Sequence, residues 1–425
     1  MKRTTSQVLA FVAVLAVGAA ACGDSSDDSA ATTVAAPATA ATTAQSPPAS
    51  DDPGTELRAW GWASSETEDS TLTGLLGEYS SISGDSVTFE PQPEYDTALQ
   101  AALSAGDPPD FFYVDSFKLP DLAAAGALAP IPDGVITDPG DIYPSLQSAF
   151  TFDGTWYCPP KDFSTLGLVY DVDALAEAGI EPPTTMEELA VAAAALTTPD
   201  RKGLVFGPEL ARAGVFMLGN GGYIVNDDVS AMTLDSDANR AALQYLADMF
   251  QAGNASTPSA IEAGWAGEAL GQGKAAMVIE GNWIVGFLAD NFPDRNWDVV
   301  EMPAGTEGRG TFAFTVCYGV GAENESDAAW DAVDYLTGPE GAAKWTDAFN
   351  VMPARQSLRD GWLAGHEKLE PFLNGAEYAH AWQFTPGFGD VVGEFNTQFE
   401  QLIAGDITVD QLIASVTEAG ESVLG

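Results

Sequence analysis

The sequence predicts an α/β protein with two domains, and its length, composition and apolar patterning all favour that prediction. The chain has 425 residues, which is long enough to form two domains that each have a sizeable core. Apolar residues make up 46% of the chain, and glycine and proline are plentiful without a repeat, as in ordinary globular α/β proteins. Short apolar runs alternate along the chain with segments of helical periodicity.

Within this pattern, the apolar runs predict strands and the periodic segments predict helices. Strands are predicted over 56–60, 86–90, 111–114, 203–206, 275–279, 297–300 and 311–321. Helices are predicted over 71–81, 95–105, 186–196, 239–251, 284–288, 328–336 and 341–349, and the final portion from about residue 365 is predicted to be helical. A Pro-Pro-Thr-Thr run at 182–185 predicts a capped helix start, with Glu187 or Glu188 able to reach back to the cap.

The charge balance is strongly acidic, with 62 acidic residues against 16 basic ones and a net charge of −46. A field of this sign argues against nucleic acid or an anionic membrane surface as a partner. We interpret the charge mainly as a solvated acidic exterior, with cation binding as the alternative. The chain has two histidines and three cysteines and no calcium-loop motif, so we expect neither a metal site nor a cofactor.

The N-terminal segment is typical of an exported protein. Residues 1–21 are predicted to be a signal peptide, because Lys2 and Arg3 precede an uncharged apolar run that is too short to span a membrane as a mature helix. The run ends in the letters AAACG, which resemble a bacterial lipobox with Cys22 as the lipidated residue. The usual leucine three residues before the cysteine is missing, so ordinary signal-peptidase cleavage is the alternative.

The segment over 22–54 is predicted to be a disordered linker that holds the folded part to a lipid anchor. It consists almost wholly of Ser, Thr, Ala, Asp and Pro, and such chain cannot bury enough apolar surface to fold. The folded part is predicted to start near Thr55.

The stretch over 270–288, LGQGKAAMVIEGNWIVGFL, predicts a buried strand followed by a helix. Between them lie the letters EGNW, at the carboxyl end of the strand. Ligands of open α/β sheets bind beyond the carboxyl ends of strands, where the chain turns toward a helix. Trp283 could therefore present its flat face to a ligand beside glycines that allow close backbone approach. The alternative is a core tryptophan at a helix start.

Several blocks of this sequence resemble the family 1 extracellular solute-binding proteins, the sugar-capturing lipoproteins of ABC importers that include the maltose-binding proteins. The first block is GKAAM followed by G-x-W. The other blocks occur in the order that the family shows, between about residues 55 and 425. They are G-x-x-P-D at 106–110, G-x-L at 126–128 and the segment 156–189, which contains P-P-T-T-x-E-E-L. Nearer the C-terminus follow the pairs A-W, Y-L and E-G and the motif P-x-R-x-S.

The resemblance implies a two-lobed periplasmic-binding-protein-like fold of type II, in which each lobe is a sheet flanked by helices and hinge crossover strands join the lobes. It places the N-terminal lobe at 55–160 plus 312–364 and the C-terminal lobe at 161–311 plus 365–425. A ligand cleft is expected between them, since small-molecule sites favour interdomain crevices.

The resemblance also implies the ligand-binding residues. Trp283 matches the tryptophan that stacks on the sugar in the family, and Asp115 falls on a strand tip where a carboxylate could accept hydrogen bonds from sugar hydroxyls. A helix cap or loop carboxylate is the alternative for Asp115, and core packing is the alternative for Trp265 and Trp382. The full set of candidates is Trp62, Asp115, Asp162, Tyr223, Trp265, Asn282, Trp283 and Trp382.

The two remaining cysteines, Cys158 and Cys317, flank the two crossovers. Because the crossovers lie side by side in this fold, the resemblance implies a disulfide that clamps the hinge, and disulfides persist outside the cytoplasm. Two buried free thiols are the alternative.

The function that the resemblance implies is binding rather than catalysis. The protein is expected to capture a neutral mono- or oligosaccharide, to deliver it to the transmembrane subunits of an ABC permease, and to be a monomer anchored on the outer face of the cell membrane. Two alternatives stay open: the same fold binding a polyamine or another cation, and a secreted glycoside hydrolase with paired carboxylates. The sequence contains no nucleophile elbow, HExxH or P-loop.

Overall fold

The structure, a computed structural model, describes residues 54–62, 66–349 and 351–425. The predicted signal peptide, the predicted lipidation site Cys22 and nearly all of the predicted linker lie outside these ranges, as do residues 63–65. Among the described residues, no helix combines the length and apolar character that crossing a bilayer requires.

Most of the strands lie in two sheets, with one short hairpin beside them. The strands are β1 (Glu56–Trp62), β2 (Ser86–Gln92), β3 (Phe111–Asp115), β4 (Thr151–Phe152), β5 (Thr155–Trp156), β6 (Pro160–Ser164), β7 (Leu166–Asp171), β8 (Lys202–Val205), β9 (Ala255–Ser256), β10 (Ala275–Gly281), β11 (Trp297–Val300), β12 (Thr311–Val320) and β13 (Ala379–Ala381).

The first lobe is built on a six-stranded sheet in the order β13-β12-β3-β1-β2, with β6 also paired to β12. Strands β1, β2 and β3 run parallel, whereas β12 is antiparallel to β3 and β6. The second lobe is built on a five-stranded sheet in the order β11-β7-β10-β8-β9, with β10 parallel to β8 and antiparallel to β7. Every residue of β7 and β10 is buried, as expected of strands covered on both faces.

Helices cover these sheets. They are α1 (Glu66–Ser83), α2 (Tyr95–Ala105), α3 (Leu119–Ala124), α4 (Pro144–Ala149), α5 (Val172–Ala178), α6 (Met186–Leu196), α7 (Leu210–Gly219), α8 (Asp237–Gln251), α9 (Ala266–Gly271), α10 (Ile284–Asn291), α11 (Asp327–Thr337), α12 (Pro339–Phe349), α13 (Arg359–Leu363), α14 (Glu370–Asn374), α15 (Gly389–Ala404) and α16 (Val409–Leu424). The Pro-Pro-Thr-Thr run does cap α6, through a capping box between Thr185 and Glu188.

The predicted elements all occur, and α2, α6 and β11 have the predicted bounds. The last part of the chain is not wholly helical, however, because β13 interrupts it and pairs in parallel with Thr311–Ala313 of β12. A strand of three residues is too short to show a periodicity. The strand β13 provides hydrogen-bond partners for the backbone at the beginning of β12. Buried backbone N–H and C=O groups need such partners.

Two strand crossovers join the lobes, one where β6 gives way to β7 and one where β12 begins. The chain also returns to the second lobe after α12, since α14 packs against β7 and β11. Ser164 ends β6 in the first sheet and Leu166 starts β7 in the second, so the chain changes lobes within two residues. The Thr311 hydroxyl donates to the Leu166 carbonyl and accepts from the Leu166 N–H, both at 3.0 Å. The two crossovers therefore lie side by side.

A disulfide joins Cys158 and Cys317 next to these crossovers, which is the pairing that the resemblance implies. Their Cα atoms are 5.7 Å apart and both side chains are fully buried. Cys317 lies in β12 opposite Pro160, the first residue of β6. The bond therefore links the two connecting segments on the side of the first lobe.

Candidate functional site

Four partly exposed aromatic side chains form a continuous run from one lobe to the other. We call Phe117, Trp382, Phe314 and Trp283 the aromatic run. Phe117 stacks on Trp382 with ring centroids 5.9 Å apart, Trp382 lies 5.8 Å from Phe314, and Phe314 lies 5.7 Å from Trp283. Phe117 follows β3 of the first sheet, and Trp283 follows β10 of the second. The run therefore crosses the region between the lobes at the hinge.

Trp283 lies at the end of the run, at the turn between β10 and α10. Its side chain is 37% exposed, which is unusual for a tryptophan that follows a fully buried strand. A Cβ atom at Gly281 would lie 2.3 Å from the indole ring, so the glycine is what allows the ring to lie against the chain. The indole N–H donates to Oε2 of Glu280 at 3.0 Å.

An ion pair lies beside Trp283. Arg212, in the first turn of α7, donates to Oε2 of Glu280 at 2.9 Å, and its guanidinium is 5.7 Å from the indole centroid. Burial raises the pKa of Glu280 and the charge of Arg212 opposes that rise. This end of the run therefore combines an exposed indole with a buried pair of opposite charges.

Asp115 lies at the other end, at the tip of β3. Its Oδ1 accepts a hydrogen bond from the Phe117 N–H at 2.8 Å, so it fixes the loop that carries the first aromatic of the run. Burial raises the pKa of Asp115 to about 6, against smaller lowering by that hydrogen bond and by Lys118. A carboxylate that is poorly solvated in this way has a strong tendency to accept hydrogen bonds from a ligand.

A cavity of about 610 Å³ adjoins Asp115 and continues between α2 and α3. Trp62 lines it and packs edge-on against Tyr113, with ring centroids 5.0 Å apart. The remaining lining is partly apolar and partly acidic: Tyr95, Asp96, Leu99, Gln100, Leu103, Ser104, Pro108, Val114, Lys118, Asp121, Leu122, Ala125, Gly126, Ala127 and Glu323. Trp62 and Asp115 are thus brought together on the first lobe.

Asn282 is buried between Gly281 and Trp283, and no described residue hydrogen-bonds either polar atom of its side chain. Its backbone carbonyl accepts from the Val285 N–H at 3.1 Å, which closes the turn into α10. An unpaired buried amide is costly, on the order of 1–3 kcal/mol. Asn282 therefore retains hydrogen-bonding capacity next to the exposed indole.

Three other residues predicted to bind ligand contact side chains inside the protein, and their role toward a ligand stays a prediction. Asp162 is buried, and its Oδ2 accepts from Lys161 Nζ and from Trp345 Nε1, both at 2.7 Å. Its place in β6, against β12, draws it into the interior of the first lobe rather than to the surface. The geometry gives Asp162 a structural role.

Tyr223 and Trp265 also pack against other rings inside the protein. The Tyr223 ring is 7% exposed and lies 4.6 Å from His380, because the glycine-rich turn after α7 directs it toward the core. The Trp265 ring lies edge-on to Phe287, with centroids 4.7 Å apart. Core packing, the alternative for Trp265, accounts for this contact, whereas Trp382 belongs to the aromatic run.

Sequence reasoning missed four residues at this site: Phe117, Phe314, Arg212 and Glu280. One signal was available, because Phe312 and Phe314 alternate along β12 and therefore share a face of the strand. Arg212 had no such signal, since its partner Glu280 is 68 residues away and only the packing of α7 against the sheet brings them together.

We predict that Asp115→Asn makes the free protein more stable at pH 7. The asparagine oxygen can still accept from the Phe117 N–H, and the cost of burying a charge disappears. Because the folded pKa of about 6 lies above the ordinary value of 3.8, the wild-type carboxyl lowers stability progressively as pH rises through this window. The gain at pH 7 is at most about 3 kcal/mol. Urea unfolding between pH 3.5 and 8 measures it.

The difference in the free energy of unfolding between Asp115→Asn and wild type should shrink toward zero as the pH falls below 4, since both side chains are then neutral. Asp121→Asn, an exposed carboxyl on the rim of the same cavity, serves as the control and should show no such pH-dependent gain. Equal stability of Asp115→Asn and wild type at every pH would contradict the prediction.

These features define a class of protein: two α/β lobes joined by adjacent crossovers, with a run of partly exposed aromatic side chains at the hinge between them. Residues 63–343 match the family of bacterial extracellular solute-binding proteins. The chain belongs to that family, which confirms the family resemblance read from the sequence.

One relative is similar in sequence over part of its length. A maltotriose-binding protein of Pyrococcus abyssi is 24% identical over 226 residues, which cover 51% of this chain and 47% of that protein. The aligned region thus spans about half the length of this curated relative.

Solved structures match over nearly their whole length. The GacH receptor of Streptomyces glaucescens has a TM-score of 0.77 at 24% identity, covering 87% of this chain and 98% of that one. The cyclic α-maltosyl-1,6-maltose binding protein of Arthrobacter globiformis gives 0.78 at 24% identity, covering 87% and 99%. The sugar-binding protein MalE of Xanthomonas citri gives 0.78 at 22% identity, covering 87% and 97%. The predicted two-lobed α/β fold is confirmed.

Proposed function

We propose that this protein captures a neutral mono- or oligosaccharide in the cleft between its lobes and delivers it to the permease of an ABC importer. The single observation that carries the proposal is the aromatic run, whose partly exposed rings connect the two lobes. The names of similar proteins agree with a saccharide ligand, since they include binders of maltotriose and of a cyclic maltosyl-maltose.

The chemistry of the run suits a sugar. The C–H faces of a pyranose ring are apolar, and partly exposed tryptophan rings such as those of Trp283 and Trp382 can cover them. The hydroxyls need partners of their own, which the Asp115 carboxylate and the Asn282 amide can supply. A buried polar group left unpaired by the wrong ligand would cost a few kcal/mol, which is the source of discrimination.

Capture then requires the two lobes to close on the ligand. Each lobe supplies part of the site, Trp62 and Asp115 from the first and Asn282 and Trp283 from the second. A ligand stabilises the closed form only through its differential affinity for that form. Hinge bending at the adjacent crossovers is the motion that would bring the two halves together. The permease would recognise and bind the closed form.

The remaining sequence-based predictions belong to the same proposal. The mature protein would be a monomer tethered through lipid on Cys22 to the outer face of the cell membrane, with 22–54 as its linker. The lobes would comprise 55–160 plus 312–364 and 161–311 plus 365–425, although β13 and nearly all of β6, which fall in the second set, pair with β12 in the first sheet. Support comes from the family, whose members are extracellular, and from the position of the crossovers at 164–166 and 311.

A thermal-shift screen tests the proposal. The purified protein is heated with maltose, maltotriose, cyclic maltosides, ketohexoses, polyamines and short peptides in parallel. We expect a neutral saccharide to raise Tm by several degrees, since a ligand at 100 times its Kd stabilises by about 2.7 kcal/mol. The saccharide should be recovered unchanged, as binding without hydrolysis requires.

A cationic ligand is the second candidate, favoured by the net charge of −46 and by the carboxylates that line the cavity beside Trp62. Exposed indoles accept quaternary ammonium ions as well as sugars. A response to a polyamine together with no response to any saccharide would replace the sugar proposal with this one.

A further inference from the structure

The buried ion pair beside Trp283 is built around one oxygen atom. Arg212 Nη2 and Trp283 Nε1 both donate to Oε2 of Glu280, at 2.9 and 3.0 Å. The side chains of Glu280 and Arg212 are 4% and 14% exposed, whereas the indole they contact is the exposed end of the aromatic run. A buried charge pair thus holds an exposed ring.

We propose that Glu280, supported by Arg212, is a positioning residue that fixes the orientation of the Trp283 indole and thereby sets the affinity for a stacked saccharide. The proposal rests on the proposed function for its ligand. Packing against Gly281 limits where the ring can lie, and the hydrogen bond selects the orientation in which the N–H points at Glu280. Hydrogen bonds to a charged acceptor are about twice as strong as neutral ones.

Arg212 is needed because an ionised carboxylate this deeply buried requires a counter-charge. Arg212 itself is held from the other side by Glu209, whose Oε2 lies 3.2 Å from Nη1 and whose side chain is 46% exposed. The network therefore runs from an exposed carboxylate through a guanidinium and a buried carboxylate to the indole. Each member fixes the next one.

The test uses Glu280→Met and Glu280→Gln in the mature protein. Glu280→Met has a similar length and no acceptor, so the indole loses its fixed orientation, and the affinity for maltotriose measured by calorimetry should fall about ten-fold or more. Glu280→Gln keeps an acceptor oxygen and should recover most of that affinity.

A second readout follows the ring directly. With ¹⁵N-labelled tryptophan, the indole N–H resonance of Trp283 is assigned by its absence in Trp283→Phe. It should move in Glu280→Met and return toward the wild-type position in Glu280→Gln. A purely structural ion pair would leave this resonance in place.

Asp171→Asn is the matched control, since Asp171 is a buried carboxylate paired with Arg295 at 2.8 Å in the same lobe. The antiparallel register pairs Gly281 with Leu166, which places Asp171 at the far end of β7 from Glu280. Asp171→Asn should lower stability while leaving both the maltotriose affinity and the Trp283 resonance unchanged.

Either of two results would overturn the proposal: Glu280→Met that binds maltotriose within two-fold of wild type, or a Trp283 resonance that does not move. If Glu280→Met does not fold, Glu280→Asp carries the test, because the shorter side chain withdraws the acceptor from the indole and predicts the same two changes. If wild type binds no maltotriose, the proposed function has failed for that sugar, and the resonance still decides the positioning role.

Discussion

Replacing Trp283 with alanine is expected to remove the thermal stabilisation that a saccharide gives to the wild-type protein. The indole is 37% exposed at the end of the aromatic run on the second lobe, so it offers an apolar surface to a ligand. Aromatic residues at the centre of a binding site commonly contribute 2 kcal/mol or more, so we expect affinity to fall by about 30-fold or more. Thermal shift and calorimetry with the responding saccharide measure the loss.

The fold should survive this change, because Trp283 is exposed and the buried residues of β10 and α10 are untouched. Trp265→Ala is the matched control in the same lobe, since that ring packs against Phe287. It should lower Tm and leave the affinity close to wild type. Undiminished binding by Trp283→Ala would contradict the stacking role, and an equal loss in Trp265→Ala would place that tryptophan at the ligand.

Part of the fold could be predicted from the sequence, because the signals of those elements are local. The buried strand β10 is a short apolar run between glycines, and α6 begins at a capping box that the letters PPTTMEE spell out. Strands β4 to β7 and β9 and helices α4, α5, α7, α9 and α13 are not among the predicted elements. Nor is β13, which has three residues and depends on an edge of β12 that belongs to a distant part of the chain. A local sequence pattern cannot predict the pairing of two strands that are distant in the chain.

The candidate site could be predicted only in part, for the same reason. Trp283 and Asp115 follow strands, so their position at the carboxyl edge of a sheet is implied by the local pattern. Whether a polar side chain faces the cleft or the interior depends on tertiary partners. Asp162 points into the first lobe, where Lys161 and Trp345 donate hydrogen bonds to it. Arg212 lies at the site because it donates a hydrogen bond to Glu280 there.

The buried charges of the first lobe have a consequence for stability. Lys161 is 4% exposed, and its Nζ lies 2.7 Å from Oδ2 of Asp162 and 3.6 Å from Oε1 of Glu68. It also lies over the rings of Tyr113 and Trp345, at 4.7 and 4.3 Å. One cation thus lies against two buried carboxylates in a chain whose net charge is already −46.

Lys161→Met is therefore expected to destabilise the protein by about 3–5 kcal/mol at pH 7, because methionine fills the space but removes the positive charge that faces Asp162 and Glu68. Urea unfolding followed by circular dichroism measures the change. Lys344→Met is the matched control: Lys344 pairs with Glu78 on the surface of the same lobe, where an ion pair contributes little, and no measurable change is expected.

The stability that Lys161→Met loses relative to wild type, measured as the free energy of unfolding, should shrink as the pH is lowered from 7 toward 5. Burial already raises the pKa of Glu68 above its ordinary value of 4.5, and Lys161 is the main influence that opposes this rise. Without the lysine, the folded protein takes up a proton on Glu68 at a higher pH than the unfolded chain does, so acid favours the folded form. A deficit that stayed constant or grew between pH 7 and 5 would show that lost packing, rather than uncompensated charge, destabilises the variant.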